Sequence, residues 1–184
     1  MANATTRDLG DLHTLKNQML VKRVRQLMIA GVFIVSGVGF AQEPVVGVAN
    51  PESLFRDANP KRNANKQATL HIMKDLLQCN HWNEADKWLT SRYLQHNPNV
   101  ASGREGVVKF FGKRPKTPTC DKLTTKIVAV LADGDLVTVV IPREQKDPKD
   151  PSKTYTTTWF DMWRFVDGKA DEHWDPAIKP TPGN

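Results

Sequence analysis

Residues 154–175 read TYTTTWFDMWRFVDGKADEHWD. A run of Thr, Trp and Phe stops at Asp167-Gly168, a dipeptide that favours a two-residue turn between antiparallel strands, and the chain returns through KADEHWD. A two-residue loop pairs Val166 with Lys169, Phe165 with Ala170, Arg164 with Asp171, Trp163 with Glu172, Met162 with His173 and Asp161 with Trp174. Alternation along each strand then puts Trp159, Asp161, Trp163, Phe165, Ala170, Glu172 and Trp174 on one face of the sheet. Met162, Arg164, Asp171, His173 and Asp175 fall on the other.

The first face is aromatic and interrupted by two carboxyl groups. Apolar walls with a few convergent polar groups are the chemistry of a ligand pocket, and a carboxyl group in such surroundings is suited to moving protons near neutrality. Asp161 and Glu172 are the acid/base candidates, with Trp159, Trp163 and Trp174 as walls; the alternative is two acids satisfied by indole N–H groups or by Arg164. Arg164 opposite Asp171 reads as a surface ion pair. His173 and Asp175, two apart on one strand, would need His96 to approach a metal-ligand set, and no further ligand has suitable spacing. The expectation is no metal and no cofactor.

Working outward, LTTKIVAVL (123–131) and LVTVVI (136–141) are β-branched runs separated by the turn ADGD, and the charged, proline-broken PREQKDPKDPSK (142–153) is a solvent loop. Upstream the period changes. Ala68, Leu70, Met73, Leu76 and Leu77 predict a helix ending near Cys79, Asn83 is placed to cap a short second one, and Ser102 with Glu105 forms a capping-box pattern ahead of VVKFF. Helices first and antiparallel strands afterwards make an α+β domain over 64–180, preceded by a Pro/Gly/Asn-rich tether at 42–63 and followed by a tail at 181–184.

LVKRVRQ followed by the apolar LMIAGVFIVSGVGF and then Ala41 has the grammar of a secretory signal over 1–41, cleaved near Ala41, giving a periplasmic or secreted protein. The run is too short to span a bilayer, so no membrane association is expected once mature; an uncleaved anchor is the other reading. Met19 is a plausible start for a signal of ordinary length. Residues 1–41 hold five of the 26 basic and two of the 20 acidic residues, leaving 21 against 18. The remaining Lys and Arg are scattered without aromatic interleaving, which excludes a nucleic-acid platform. Cys79 and Cys120 form either a disulfide or two buried thiols.

Two short segments carry a resemblance. YLQHNPN (93–99) with Gly103 after it, and RFVDGKADEHWD (164–175), resemble the SnoaL-like polyketide cyclase family of the nuclear-transport-factor-two-like superfamily, over roughly residues 64–180. The resemblance implies a cone-shaped α+β barrel, N-terminal helices packed in a curved antiparallel sheet, with a cavity open at one end. It implies lyase or isomerase chemistry without cofactor on a small apolar molecule, such as an intramolecular aldol ring closure. His96 would join Asp161 and Glu172 in proton handling. Tyr93 and Asn97 would line the cavity with the tryptophans, His173 and Asp175, and a homodimer would form through the outer sheet face. The chain departs from the family at Ala170 and at Pro176–Ile178, and an exported member would meet a different small molecule from a cytoplasmic cyclase. A non-catalytic exported binding module on the same fold is the alternative. As local structure, Asn97-Pro98 ends one segment and Ser102 starts the next; His96 lines the pocket or packs on a helix.

Overall fold

A computed structural model describes residues 42–180, so the segment expected as a secretory signal, with its expected cleavage point, and the tail at 181–184 lie outside the described residues. Asp167 and Gly168 take φ of +48° and +77°, the left-handed pair that a two-residue turn between twisted strands requires. They join β4 (Thr154–Val166) to β5 (Lys169–Trp174). Next to the turn Val166 faces Lys169 and Phe165 faces Ala170, as expected. Beyond it Arg164 faces Glu172, Trp163 faces His173 and Met162 faces Trp174.

Asp171 is the extra residue of a β-bulge, and past a one-residue insertion every side chain changes face. The expected pairs of Trp163 with Glu172, Met162 with His173 and Arg164 with Asp171 are therefore replaced. The neighbouring strand supplies the cause: Asp171 is buried, and its carboxylate accepts from the Arg92 guanidinium and, at 2.7 Å, from Thr90 Oγ1. Those bonds, the one from Arg92 foremost, hold the Asp171 carboxyl below its ordinary range against the opposing cost of burial.

Thr90 and Arg92 belong to β1 (Leu89–Gln95), a strand the sequence pattern did not disclose. It pairs in parallel with β5, while β2 (Ala129–Asp133), β3 (Leu136–Lys146) and β4 are antiparallel, in the sheet order β1-β5-β4-β3-β2. β3 runs on through the start of the expected solvent loop, residues 142–146, pairing residue by residue with β4 from Leu136 opposite Arg164 to Lys146 opposite Thr154. Residues 123–128 stay outside the strand, yet Leu123 and Ile127 are buried in the core.

The helices differ at their starts. α1 (Pro60–His71) begins earlier than expected because Pro60 takes a first-turn position and the Asn59 side chain accepts from Arg62 N at 3.1 Å. It continues as a π-helical turn, Ile72–Gln78. Asn83 caps nothing: it sits inside a 3-10 turn, Trp82–Glu84, ahead of the one-turn α2 (Ala85–Trp88). Before α3 (Arg104–Phe111) the capping box does not form, because Ser102 Oγ accepts instead from Gln95 N at 3.0 Å and Gly103 enters the helix at φ +89°.

Helical Ile72, Met73 and Leu76 share one core with Val137, Val139, Trp163 and Phe165 from the sheet's concave face. Burying each such side chain contributes roughly 1.5–3 kcal/mol. The segment expected as a tether is part of this structure. Phe55, in a 3-10 turn at Pro51–Phe55, is fully buried, and Val48 N donates to Ile127 O at 2.8 Å. Gly47 passes so close to the segment ahead of β2 that a Cβ there would lie 2.9 Å from Ile127 N. No helix among the described residues is long and apolar enough to cross a membrane.

Cys79, which ends the π-turn, is bonded to Cys120. Gln78 beside it clamps the same loop: Oε1 accepts from the N–H groups of Thr124 and Thr125 at 2.8 and 3.0 Å, and Nε2 donates to Lys122 O. The bridge closes a separation of 41 residues, so its loss by reduction or by Cys79→Ser with Cys120→Ser should lower unfolding free energy by about 4 kcal/mol, read by urea titration with and without reductant. Asp171 predicts a pH effect. Because its folded-state pKa is lowered, its contribution is complete above the ordinary carboxylate range and disappears as pH falls through the folded value. Asp171→Ala should therefore be less stable than wild type by about 1–3 kcal/mol at pH 7, with the gap narrowing on acidification below about pH 4.

Candidate functional site

The concave face of the sheet and the helices enclose a cavity of about 450 Å³, within the size range of small-molecule sites. Its apolar side comes from Met73 and Leu77 on the π-turn and Phe111 at the end of α3. A π-turn widens the helix locally and re-aims its side chains. The polar side comes from the sheet, where Asp161 and Trp159 on β4 meet His173 on β5, Tyr93 on β1 and Asp175 just past β5. Asp161 is 9% exposed and His173 6%.

The hydrogen bonds fix how His173 is oriented. Gln95 Oε1 accepts from the backbone N–H of Asn97 at 3.1 Å, so the atom in that place is the oxygen. His173 Nδ1, 2.7 Å from the same Oε1, is then the nitrogen that donates. The other ring nitrogen, Nε2, points at Asp161 Oδ1 from 3.2 Å.

Asp161 Oδ1 also accepts from Trp159 Nε1 at 3.0 Å, whereas Oδ2 has no hydrogen-bond partner among the described residues and is not sealed from the cavity. Trp163 Nε1 donates to Tyr93 Oη at 2.9 Å, which leaves the phenolic hydrogen free to donate. Burial first, then the nearby carboxylates of Asp161 and Asp175, push the Tyr93 hydroxyl far above its ordinary range, so it stays neutral. Asp175 is held by Asn97 Nδ2 on Oδ2 at 2.7 Å and by Ala177 N on Oδ1 at 2.9 Å. Asp161, His173 and Asp175 each offer a ligand atom within 4.8 Å of the others, the one such group found among the described residues.

Seven expected site residues thus line the cavity: Asp161, Tyr93, Asn97, Trp159, Trp163, His173 and Asp175. Three do not. The bulge turns Glu172 and Trp174 to the opposite face, and His96 goes with them. His96 Nε2 lies 2.8 Å from Glu172 Oε1, its ring stacks 5.0 Å from that of Trp174, and Arg164 Nε donates to Glu172 Oε2 at 3.1 Å. Hydrogen bonds from His96 and then Arg164 hold the Glu172 carboxyl below its ordinary range, the opposite of what a proton donor needs. The expected surface pairing is likewise rearranged, Arg164 joining Glu172 and Asp135 while Asp171 takes Arg92. The histidine to place near Asp175 is His173, with Asp161 in the position considered for His96.

Two cavity residues escaped the sequence reading as site residues. Gln95 fixes the His173 tautomer, but a single glutamine at a strand end gives no signal until its partner is known. Arg143 lay in the supposed solvent loop; with β3 extended, its guanidinium sits 3.8 Å above the Trp159 ring at the cavity rim.

No curated protein matches the sequence. Among solved structures, the chain is similar to TsrD from Streptomyces laurentii, at 18% identity and TM-score 0.41, covering 62% of this chain and 87% of that one. It is similar to a protein assigned as a SnoaL-like polyketide cyclase from Jannaschia sp. CCS1, at 16% identity and TM-score 0.45 over 66% and 91% of the two chains. A third, assigned as a ketosteroid isomerase from Kribbella flavida DSM 17836, shows 18% identity and TM-score 0.44 over 65% and 84%. The SnoaL-like domain family matches residues 73–173, which hold the π-turn from Met73 on, β1 and the closing hairpin as far as His173. With that match over more than half its length, and with the curved five-stranded sheet wrapped on its helices, the chain belongs to the SnoaL-like domain family.

Proposed function

We propose that the cavity carries out cofactor-independent acid/base chemistry on a small, largely apolar carbonyl compound, of the kind that forms an enolate for isomerisation or aldol ring closure. The observation that carries this reading is the 3.2 Å contact between Asp161 Oδ1 and His173 Nε2 on the wall of an apolar cavity, a geometry in which the two side chains can share one proton. With that proton on His173, Asp161 is a carboxylate whose free Oδ2 can take a hydrogen from the carbon beside the carbonyl. The C–H electrons move into the enolate, and the carbonyl oxygen, now negative, receives the hydrogen bond of the neutral Tyr93 hydroxyl. The proton on Oδ2 then returns to another carbon, or the enolate carbon attacks a second carbonyl of the same molecule and the alkoxide that forms takes the proton from Oδ2. His173 compensates the change of charge on Asp161 throughout.

An exported protein fits the same reading, since the Cys79–Cys120 bridge is of the type that persists in oxidising compartments. The competing reading, a non-catalytic binding module, keeps the cavity and drops the chemistry. One experiment separates them. With 2-tetralone, an apolar enolisable ketone, in heavy water, wild type should accelerate exchange of the α-hydrogens as read by proton NMR. Asp161→Asn should bind the ketone by tryptophan quenching yet exchange it at least about 100-fold more slowly. Exchange undiminished in Asp161→Asn removes the assignment, and wild type that binds without exchanging identifies a binding module.

A further inference from the structure

The bulge brings His173 and Asp175 onto the face that already held Asp161, and the result is more than a proton pair. Two carboxylates stand together, and among the described residues neither forms an ion pair with a lysine or arginine, the imidazole of His173 being the cationic partner of Asp161. Uncompensated like charge at this separation, away from bulk water, is strongly unfavourable and selects for a bound proton or a cation. The donor atoms are also prepared. Gln95 Oε1 fixes the hydrogen of His173 on Nδ1, which turns Nε2 toward the acids. Trp159 orients Asp161, and Asn97 and Ala177 orient Asp175. Such outer hydrogen bonds are what orient the ligands of protein-bound metals. Asp161 is nine-tenths buried, with Oδ2 unpartnered among the described residues and facing the cavity.

We infer that Asp161, His173 and Asp175 form a site for a first-row divalent cation such as Zn²⁺ or Mn²⁺. One imidazole nitrogen and two carboxylate oxygens are ligands for these ions, with the remaining positions open to the cavity. Ligand atoms held at about 2.1 Å from one tetrahedral ion lie about 3.4 Å apart, so the three side chains, now within 4.8 Å of one another, close by up to about 1.4 Å. Binding occupies both His173 Nε2 and the Asp161 carboxylate. The cation is therefore an inhibitor of the chemistry proposed above, and the inference rests on the geometry of that site without needing its reaction.

The test uses the full chain with its disulfide intact and Co²⁺ as a spectroscopic probe, because with both cysteines bridged no thiolate can contribute to the spectrum. Wild type should bind one Co²⁺ per chain saturably, with visible ligand-field bands. Asp175→Asn, outside the proton pair and conservative in shape, should weaken binding at least about 10-fold while circular dichroism stays native. Glu172→Gln should leave binding unchanged, since that acid belongs to the outer-face cluster with His96. Absence of saturable binding, equal binding by Asp175→Asn, or loss of binding in Glu172→Gln instead would each overturn the inference. Cation binding is read without ketone and ketone exchange without cation, so either reading can fail alone. With both in place, Co²⁺ at saturation should abolish exchange.

Discussion

One buried carboxylate sets the terms for the rest of the molecule. Asp171 is drawn to Thr90 and Arg92 on the adjacent strand, and the chain accommodates it by placing two residues of β5 against one position of β4. In a sheet whose side chains alternate, that single insertion decides which residues of the last strand see the interior. Without it Glu172 would face the cavity and His173 the outside. With it the interior receives an imidazole beside Asp161, and the exterior receives an ion-paired glutamate.

The bulge also separates two histidine–acid pairs with different physical characters. His96 and Glu172 lie on the outer face, with the His96 side chain 46% exposed and Arg164 close by, where solvent and a third charge dilute any effect on protons. His173 and Asp161 have side chains 8% and 12% exposed, and each is oriented by a further hydrogen bond, from Trp159 to Asp161 and from His173 to Gln95. The second arrangement is the one that can hold a proton in a defined place against an apolar ligand. The frame around it is stiffened from the opposite side, where the disulfide and Gln78 tie the π-turn to the loop before β2.

Much of this was legible in the residues alone. Asp167-Gly168 demands its turn whatever surrounds it, because both positions must be left-handed. The alternation in β3 and β4 follows from local pattern, and so does the inward placement of Asp161, Trp159 and Trp163, which lie on the unbulged strand. The family resemblance, carried by two short segments, pointed to the right curved sheet and cavity. Elements that depend on partners were harder. β1 has little apolar alternation and becomes a strand by pairing with β5, and Ser102 is diverted from its capping pattern by a donor on β1, Gln95 N.

What the sequence by itself determined, then, is the set of elements whose conformation is decided within a few residues: turn, strand period, helical period and the acid among the tryptophans. What only the tertiary structure decided is the face of His173, Glu172 and Trp174, the tautomer of His173 and the pairing of Cys79 with Cys120. Each of these hangs on a contact between distant segments. Thr90 and Asp171 are 81 residues apart, Gln95 and His173 are 78 apart, and the half-cystines are 41 apart. A local pattern cannot encode a register that a remote hydroxyl and guanidinium impose, because the energy that selects it exists only after the strands have met.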